Sequence, residues 1–170
     1  MVTLYLLRHA KTKIATRGIA DVERALTRRG MQDAARVGTW MRDSGIRPTM
    51  ILCSDSRRTR ETLAAIIGRI EGPCRIEIET QLYTFASEVL QRRLASLAKG
   101  PAGVMMIGHN PALEDLASAL AGTGETSALT QLHRKFPTCG FAELSFDTDD
   151  WRTVKVGSGH LVRAMVPGDD

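Results

Sequence analysis

Arginine, histidine and serine residues suited to phosphoryl chemistry fall at three places in this 170-residue chain: Arg8-His9, residues 54–60 with Ser54, Arg57, Arg58 and Arg60, and Gly108-His109-Asn110. Each group follows a short apolar run and precedes a helical pattern. At such positions free backbone N–H groups and the positive end of a helix dipole favour a bound anion. Guanidinium groups add paired donors that match phosphoryl oxygens better than the point charge of a lysine does. An imidazole with an ordinary pKa of about 6.5 keeps a neutral, nucleophilic fraction near physiological pH. Two histidines and several arginines brought together therefore describe a phosphoryl-transfer pocket, one histidine attacking and the other donating hydrogen bonds.

The elements that must position these groups follow from periodicity. Residues 2–7 form a short, β-prone apolar run that ends abruptly at Arg8-His9, and residues 50–53 and 103–107 are runs of the same kind. Residues 11–24 are polar and contain Gly18, which predicts a loop. Thr27 is a capping residue type for a helix to about residue 44, and Gly45 and Pro48 punctuate its end. Ser54-Asp55 precede a helix with Leu63, Ile66 and Ile67 on one face. A strand over 75–79 and a helix over 87–98 come next, and Gly100-Pro101 stop that helix. Pro111 suits the first position of a helix carrying Leu113, Leu116 and Leu120, and a helix is predicted near 126–134. Alternation over 141–146 and 154–156 predicts two antiparallel strands. Strands alternating with helices imply an α/β fold, a three-layer sandwich whose mostly parallel sheet is covered by helices on both faces. The three polar clusters then meet at one edge of that sheet.

Composition narrows the function. A chain that is 43% hydrophobic and 25% charged, without repeat or linker, is expected to form one domain over 1–170. The net charge of +4 comes from basic residues scattered among acids, with only 5% aromatics, which disfavours a nucleic-acid binder. Cys53, Cys74 and Cys139 are an odd number without a CxxC pair, so neither a disulfide framework nor a zinc site is signalled. The N-terminus meets a charge too early for a signal peptide, and no apolar run reaches the roughly 20 residues of a membrane span. No membrane association and a cytoplasmic location are expected. His133 and His160 fall in no motif and read as surface or packing residues, and Arg57 and Arg60 as a solvated face or a pocket rim.

Taken in order, the motifs resemble the histidine phosphatase superfamily, with its phosphoglycerate mutase-like fold, and within it the compact branch of phosphohistidine phosphatases of the SixA type. Leu7-Arg8-His9-Ala10 matches the signature Leu-Arg-His-(Gly or Ala), and Ser54, Arg58 and Thr62 match the second motif. Gly108 to Pro111 match the third. Asp21, Arg24, Leu26, Thr27, Arg29 and Gly30 follow a branch pattern, and Phe136-Pro137-Thr138 and Trp151 also resemble the branch. The resemblance implies that His9 becomes phosphorylated, that Arg8, Arg58 and His109 hold the phosphoryl oxygens, and that water releases the phosphate. It implies no metal and no cofactor, because fixed cationic donors stand where many phosphoryl-transfer sites use magnesium. Thr12 and Asn110 are further candidates for touching phosphate.

Larger members of the family carry an acid well after the second arginine that protonates the leaving oxygen. Glu88 is the nearest candidate here, and Asp21 is a second. Each also has an ordinary explanation, Glu88 as a first-turn acid favoured by the helix dipole and Asp21 as a loop residue bonded to Arg24 or to backbone. The expected substrate is phosphohistidine on a protein such as a histidine phosphotransfer domain, since few insertions between motifs leave little chain for a lid. Two alternatives stay open: a phosphatase or mutase of a small phosphorylated metabolite, disfavoured by Lys11 where mutases tend to have an acid, and a catalytically silent phosphate-binding module.

Overall fold

Runs of residues that are apolar at every position must lie where both faces of a strand are covered, and three such runs make the middle of the sheet. The computed structural model describes residues 1–167, so the last three residues of the expected domain lie outside it. Among the described residues the elements are β1 (Val2–Arg8), α1 (Arg28–Asp43), β2 (Met50–Ser54), α2 (Arg57–Ile67), β3 (Arg75–Glu79), α3 (Ser87–Ala95), β4 (Gly103–Gly108), α4 (Ala112–Leu120), β5 (Ala121–Gly124), α5 (Thr126–Arg134), β6 (Phe141–Phe146) and β7 (Gly159–Met165). The strands form one sheet in the order β3-β2-β4-β1-β6-β7-β5. From β3 to β1 every pairing is parallel, β6 runs antiparallel to β1 and to β7, and β5 is parallel to β7.

Period-two alternation sends successive side chains of these strands to opposite faces. Leu4, Leu6, Leu52 and Met106 pack with Leu90 and Leu94 of α3, Leu113 and Leu116 of α4 and Leu132 of α5. Leu7, Ile51, Cys53, Met105 and Ile107 pack on the other face with Val37 and Met41 of α1 and Leu63 and Ile66 of α2. Helices on both faces of a mostly parallel sheet give the three layers expected. Each large aliphatic side chain removed from water contributes about 1.5–3 kcal/mol, so these two clusters are the main source of stability.

Local chemistry sets the helix starts. Thr27 Oγ1 accepts from the Gly30 N–H at 2.9 Å and caps α1. Ser56, the residue right after the expected Ser54-Asp55, caps α2 by accepting from the Thr59 N–H. Pro111 takes the cap position of α4 and not its first helical residue.

Two elements differ from the sequence reading. Residues 154–156 are not a strand: Val154 is buried just after a 3-10 turn (Trp151–Thr153), Val156 is exposed, and the later segment that pairs with β6 is β7, with Leu161 opposite Leu144. Two valines in three residues satisfy an alternation rule by chance, whereas a strand also needs a partner backbone. α3 ends at Ala95, three residues before the expected end, in i→i+3 turns at Leu97 and Ala98, and Ala98 has a positive φ of 49°. β5 carries no sequence signal because it is rich in glycine, which Gly122 needs: a Cβ there would lie 1.9 Å from the Gly157 carbonyl oxygen.

Gly30 lets α1 approach the segment that carries His9, since a Cβ on it would sit 2.2 Å from the Lys11 carbonyl oxygen. Gly30→Ala is expected to destabilise the fold by about 1–3 kcal/mol, lowering the midpoint of thermal unfolding by several degrees in circular dichroism. Gly68→Ala, which meets open space at an ordinary φ, should leave the midpoint within about a degree as the control.

Candidate active site

β2, β4 and β1 are adjacent and parallel, so their C-terminal ends lie side by side. Arg8 pairs with Gly108 in register, and the His9 N–H then donates to the Gly108 carbonyl at 3.1 Å. The next N–H, from Ala10, donates to Thr62 Oγ1 of α2 at 3.0 Å. The Cys139 N–H, just before β6, donates to the His9 carbonyl at 3.1 Å. His9 is thus fixed by a strand, a helix and a loop.

The His9 ring is 7% exposed, and its Nδ1 lies 2.8 Å from the Ala10 carbonyl oxygen. A carbonyl only accepts, so Nδ1 carries the hydrogen and Nε2 presents a lone pair. Burial lowers the His9 pKa to about 3 despite the Ala10 bond, and His109, Arg58 and Arg8 push it the same way. The His9 and His109 ring centroids are 5.4 Å apart. His109 Nε2 lies 2.8 Å from Ser54 Oγ, while its Nδ1 is buried without a partner. With Ser54 donating to Nε2, neutral His109 carries its hydrogen on Nδ1, a donor with nothing among the described residues to receive it. Burial and then Arg58 hold this ring neutral as well, with a pKa of about 4.

Two guanidinium groups complete the cluster. Arg58 is 4% exposed and donates from Nη1 to the Asp21 carbonyl at 2.7 Å and from Nη2 to Asp21 Oδ2 at 3.0 Å. Arg8 donates from Nη1 to the Phe136 carbonyl at 3.1 Å, and its Nε is buried and unpartnered. Burial lowers the Arg8 pKa from its ordinary value, and Glu114 partly restores it. Unspent N–H donors of Arg8, Arg58 and His109 around a neutral imidazole make a place for a multiply charged oxyanion.

The remaining candidates fall in different places. The Asp21 carboxylate bonds Arg24 at 3.0 Å, Arg58 and the Tyr83 hydroxyl. The Tyr83 bond first, then the Arg24 bond, hold it well below the usual carboxylate range, so it is an anion and not a stored proton. Thr12 Oγ1 accepts from Arg24 Nη2 at 2.7 Å and belongs to the same network. Asn110 Nδ2 donates to Glu114 Oε2 and to the Phe136 carbonyl, each at 2.8 Å, which uses both of its hydrogens within the chain. Glu88 is exposed in the first turn of α3 and makes no hydrogen bond to these groups among the described residues. Arg57 pairs with Glu61, and Arg60 Nε donates to the Asp55 carbonyl, both on the rim.

Sequence reasoning missed Tyr83. It follows β3 through a 3-10 turn (Thr80–Leu82), its ring meets His109 edge-on with centroids 5.2 Å apart, and Arg58 Cζ lies 5.6 Å from its centroid. A tyrosine outside the three motifs carries no signal in a single sequence. Among the described residues no group of three or more His, Cys, Asp or Glu side chains is placed to hold a metal ion, and no helix is long and apolar enough to cross a membrane.

His9 and His109 stay neutral when folded but take up protons below their ordinary 6.5 when unfolded. Their folded pKa values are depressed, so the unfolded state binds more protons and stability is lost as pH falls from 6.5 toward about 4 and about 3. The thermal midpoint is expected to drop between about pH 7 and pH 4.5, and a His109→Gln variant should show a shallower drop. Parallel curves for the two proteins would contradict the assignment.

The family model of the histidine phosphatase superfamily (branch 1) matches residues 4–85. An uncharacterized protein of Mycobacterium leprae is 31% identical over 166 residues, covering 95% of this chain and 99% of that protein. A structure from Agrobacterium tumefaciens, named as a phosphohistidine phosphatase SixA, superposes with a TM-score of 0.82 at 29% identity, covering 98% of both chains. One from Nakamurella multipartitia with the same name gives 0.82 at 26% identity, covering 98% of this chain and 96% of that one. The fold is accordingly phosphoglycerate mutase-like. Similarity that runs nearly end to end in both sequence and structure means that this chain belongs to branch 1 of the histidine phosphatase superfamily.

Proposed function

We propose that the chain is a phosphatase that passes a phosphoryl group through a covalent intermediate on His9, and that its substrates are phosphohistidine residues of proteins. One observation carries the mechanism: the buried His9 ring has Nδ1 committed to the Ala10 carbonyl and Nε2 left as a lone pair amid unspent donors. Nε2 attacks phosphorus, the bond to the leaving atom breaks, and the phosphorylated ring becomes cationic because Nδ1 keeps its hydrogen. Arg8, Arg58 and His109 Nδ1 hold the three oxygens whose charge is spread in the transition state. In the second half water attacks phosphorus, the P–Nε2 bond breaks with its electron pair returning to Nε2, and a water proton is released with phosphate. The Ala10 carbonyl serves both halves, since it makes the ring a nucleophile first and a good leaving group afterwards. All of these donors are side chains of this chain, so no metal step is invoked.

The substrate class rests on the SixA name carried by the two structures above and on the short connections between motifs, which leave the pocket open to a side chain presented by another protein. A phosphorylated histidine phosphotransfer domain is therefore the substrate of choice for the assay, with p-nitrophenyl phosphate and 3-phosphoglycerate beside it and EDTA present. Preferential release of phosphate from phosphohistidine is expected. Activity confined to the esters would move the function to small phosphorylated metabolites, and no activity on any would make the chain a phosphate-binding module.

His9→Ala should lower turnover by at least about 10³-fold while circular dichroism stays unchanged; near-normal rates would remove the covalent intermediate. Arg58→Lys keeps the charge but not the paired donors, and a loss of about 10²-fold is expected in steady-state kinetics.

A further inference from the structure

In-line displacement puts the leaving atom opposite His9 Nε2 across phosphorus. Groups that touch the phosphate-holding side chains without touching the nucleophile border that region. Tyr83 is such a group, for its ring meets His109 and Arg58, and among the described residues it has no ring contact with His9. Phe85 lies against Tyr83 with centroids 6.3 Å apart and is 60% exposed, so it continues the aromatic wall toward solvent. Asp21, 47% exposed at its side chain, hydrogen-bonds both Tyr83 and Arg58 and sets a carboxylate beside the same wall.

We propose that Asp21, Tyr83 and Phe85 form the leaving-group subsite, and that this subsite takes a flat cationic ring, the protonated imidazole of a phosphorylated histidine. The inference rests on the phosphatase reading above and extends it to the other side of the scissile bond. Aromatic faces attract cations, and the Asp21 carboxylate, paired with Arg24 and Arg58 yet 47% exposed at its side chain, offers an ionised acceptor for the N–H of the protonated ring. Arg58 spends only two of its five N–H donors on Asp21, so it can hold a phosphoryl oxygen without releasing that carboxylate.

The chemistry balances without a proton donor. The bound substrate already has a proton on its second ring nitrogen. When the P–N bond breaks, its electron pair returns to the leaving nitrogen and a neutral imidazole departs. His9 Nε2 gains phosphorus and its ring takes the positive charge. An anion at Asp21 that favours the protonated substrate thus does the work that a general acid does for an ester, which accounts for Glu88 standing outside the site.

The test compares two small substrates that need no protein docking, 1-phosphoimidazole and 3-phosphoglycerate, in the wild-type chain, Asp21→Asn and Phe85→Ala. The ratio of kcat/KM values, phosphoimidazole over 3-phosphoglycerate, is expected to fall about tenfold in Asp21→Asn and about threefold in Phe85→Ala, the latter through KM. Equal losses on both substrates would mean that Asp21 acts only by positioning Arg58, and an unmoved ratio in Phe85→Ala would remove the aromatic wall; either result overturns the subsite. Phe85 is exposed and, among the described residues, meets only Tyr83 of the aromatic rings, so this variant remains informative if Asp21→Asn fails to fold. A wild-type chain that releases phosphate from 3-phosphoglycerate but from no phosphoimidazole or phosphohistidine overturns the substrate reading itself. An active wild type whose ratio stays fixed in both variants overturns the subsite alone.

Discussion

The hydrogen bond from the His9 N–H to the Gly108 carbonyl continues the β1–β4 ladder one residue past β1. Everything in the pocket depends on that extra rung. It places His9 beside His109, because the residue after Arg8 is paired to the residue before His109. Parallel pairing of β2 with β4 then brings Ser54 to the same level, where its hydroxyl meets His109 Nε2. An antiparallel sheet would put these ends on opposite sides of the molecule. Three clusters separated by dozens of residues become neighbours through backbone geometry alone, and side-chain hydrogen bonds only adjust their aim.

Charge is arranged so that the His9 imidazole stays uncharged among cations. Burial acts against a proton on His9 and His109, and the nearby guanidinium groups add to that effect. The same guanidinium groups are themselves held by backbone carbonyls of Phe136 and Asp21, which draw N–H donors without adding a full negative charge next to His9. The Asp21 carboxylate accepts from Arg24, Arg58 and the Tyr83 hydroxyl and still keeps an exposed side. The donors around His9 are therefore oriented and only partly satisfied.

Much of this was legible in the residues. Apolar runs before Arg8, Ser54 and Gly108 placed the strands, Thr27 placed the start of α1 to the residue, and alternating strands and helices gave the layers. The side chains around His9 were legible because their types are costly to bury without purpose. Tyr83 was not, since aromatic residues fill cores as readily as they line sites, and its approach to His109 depends on the length of the turn after β3. Nor could the sequence distinguish an Asp21 that gives up a proton from one held as an anion; that depends on three partners drawn from separate segments. The glycine-rich β5 and the true partner of β6 were hidden for a related reason, because pairing is decided between backbones, and glycine and scattered valines say little about it.

Phe136 is the point at which the far end of the chain reaches the pocket. Its carbonyl receives Arg8 and Asn110 together, and β6, which follows it, pairs directly with β1. Phe136 lies 128 residues after Arg8, so the carbonyl that aims this guanidinium and the strand that follows it are made long after the segment they steady. During synthesis the His9 segment therefore waits for a partner that lies far along the chain. The anchoring of Arg8 is complete only once the segment from Phe136 through β6 docks on β1, so a chain cut before Phe136 would keep Arg8 and His9 but lose the carbonyl that aims the guanidinium.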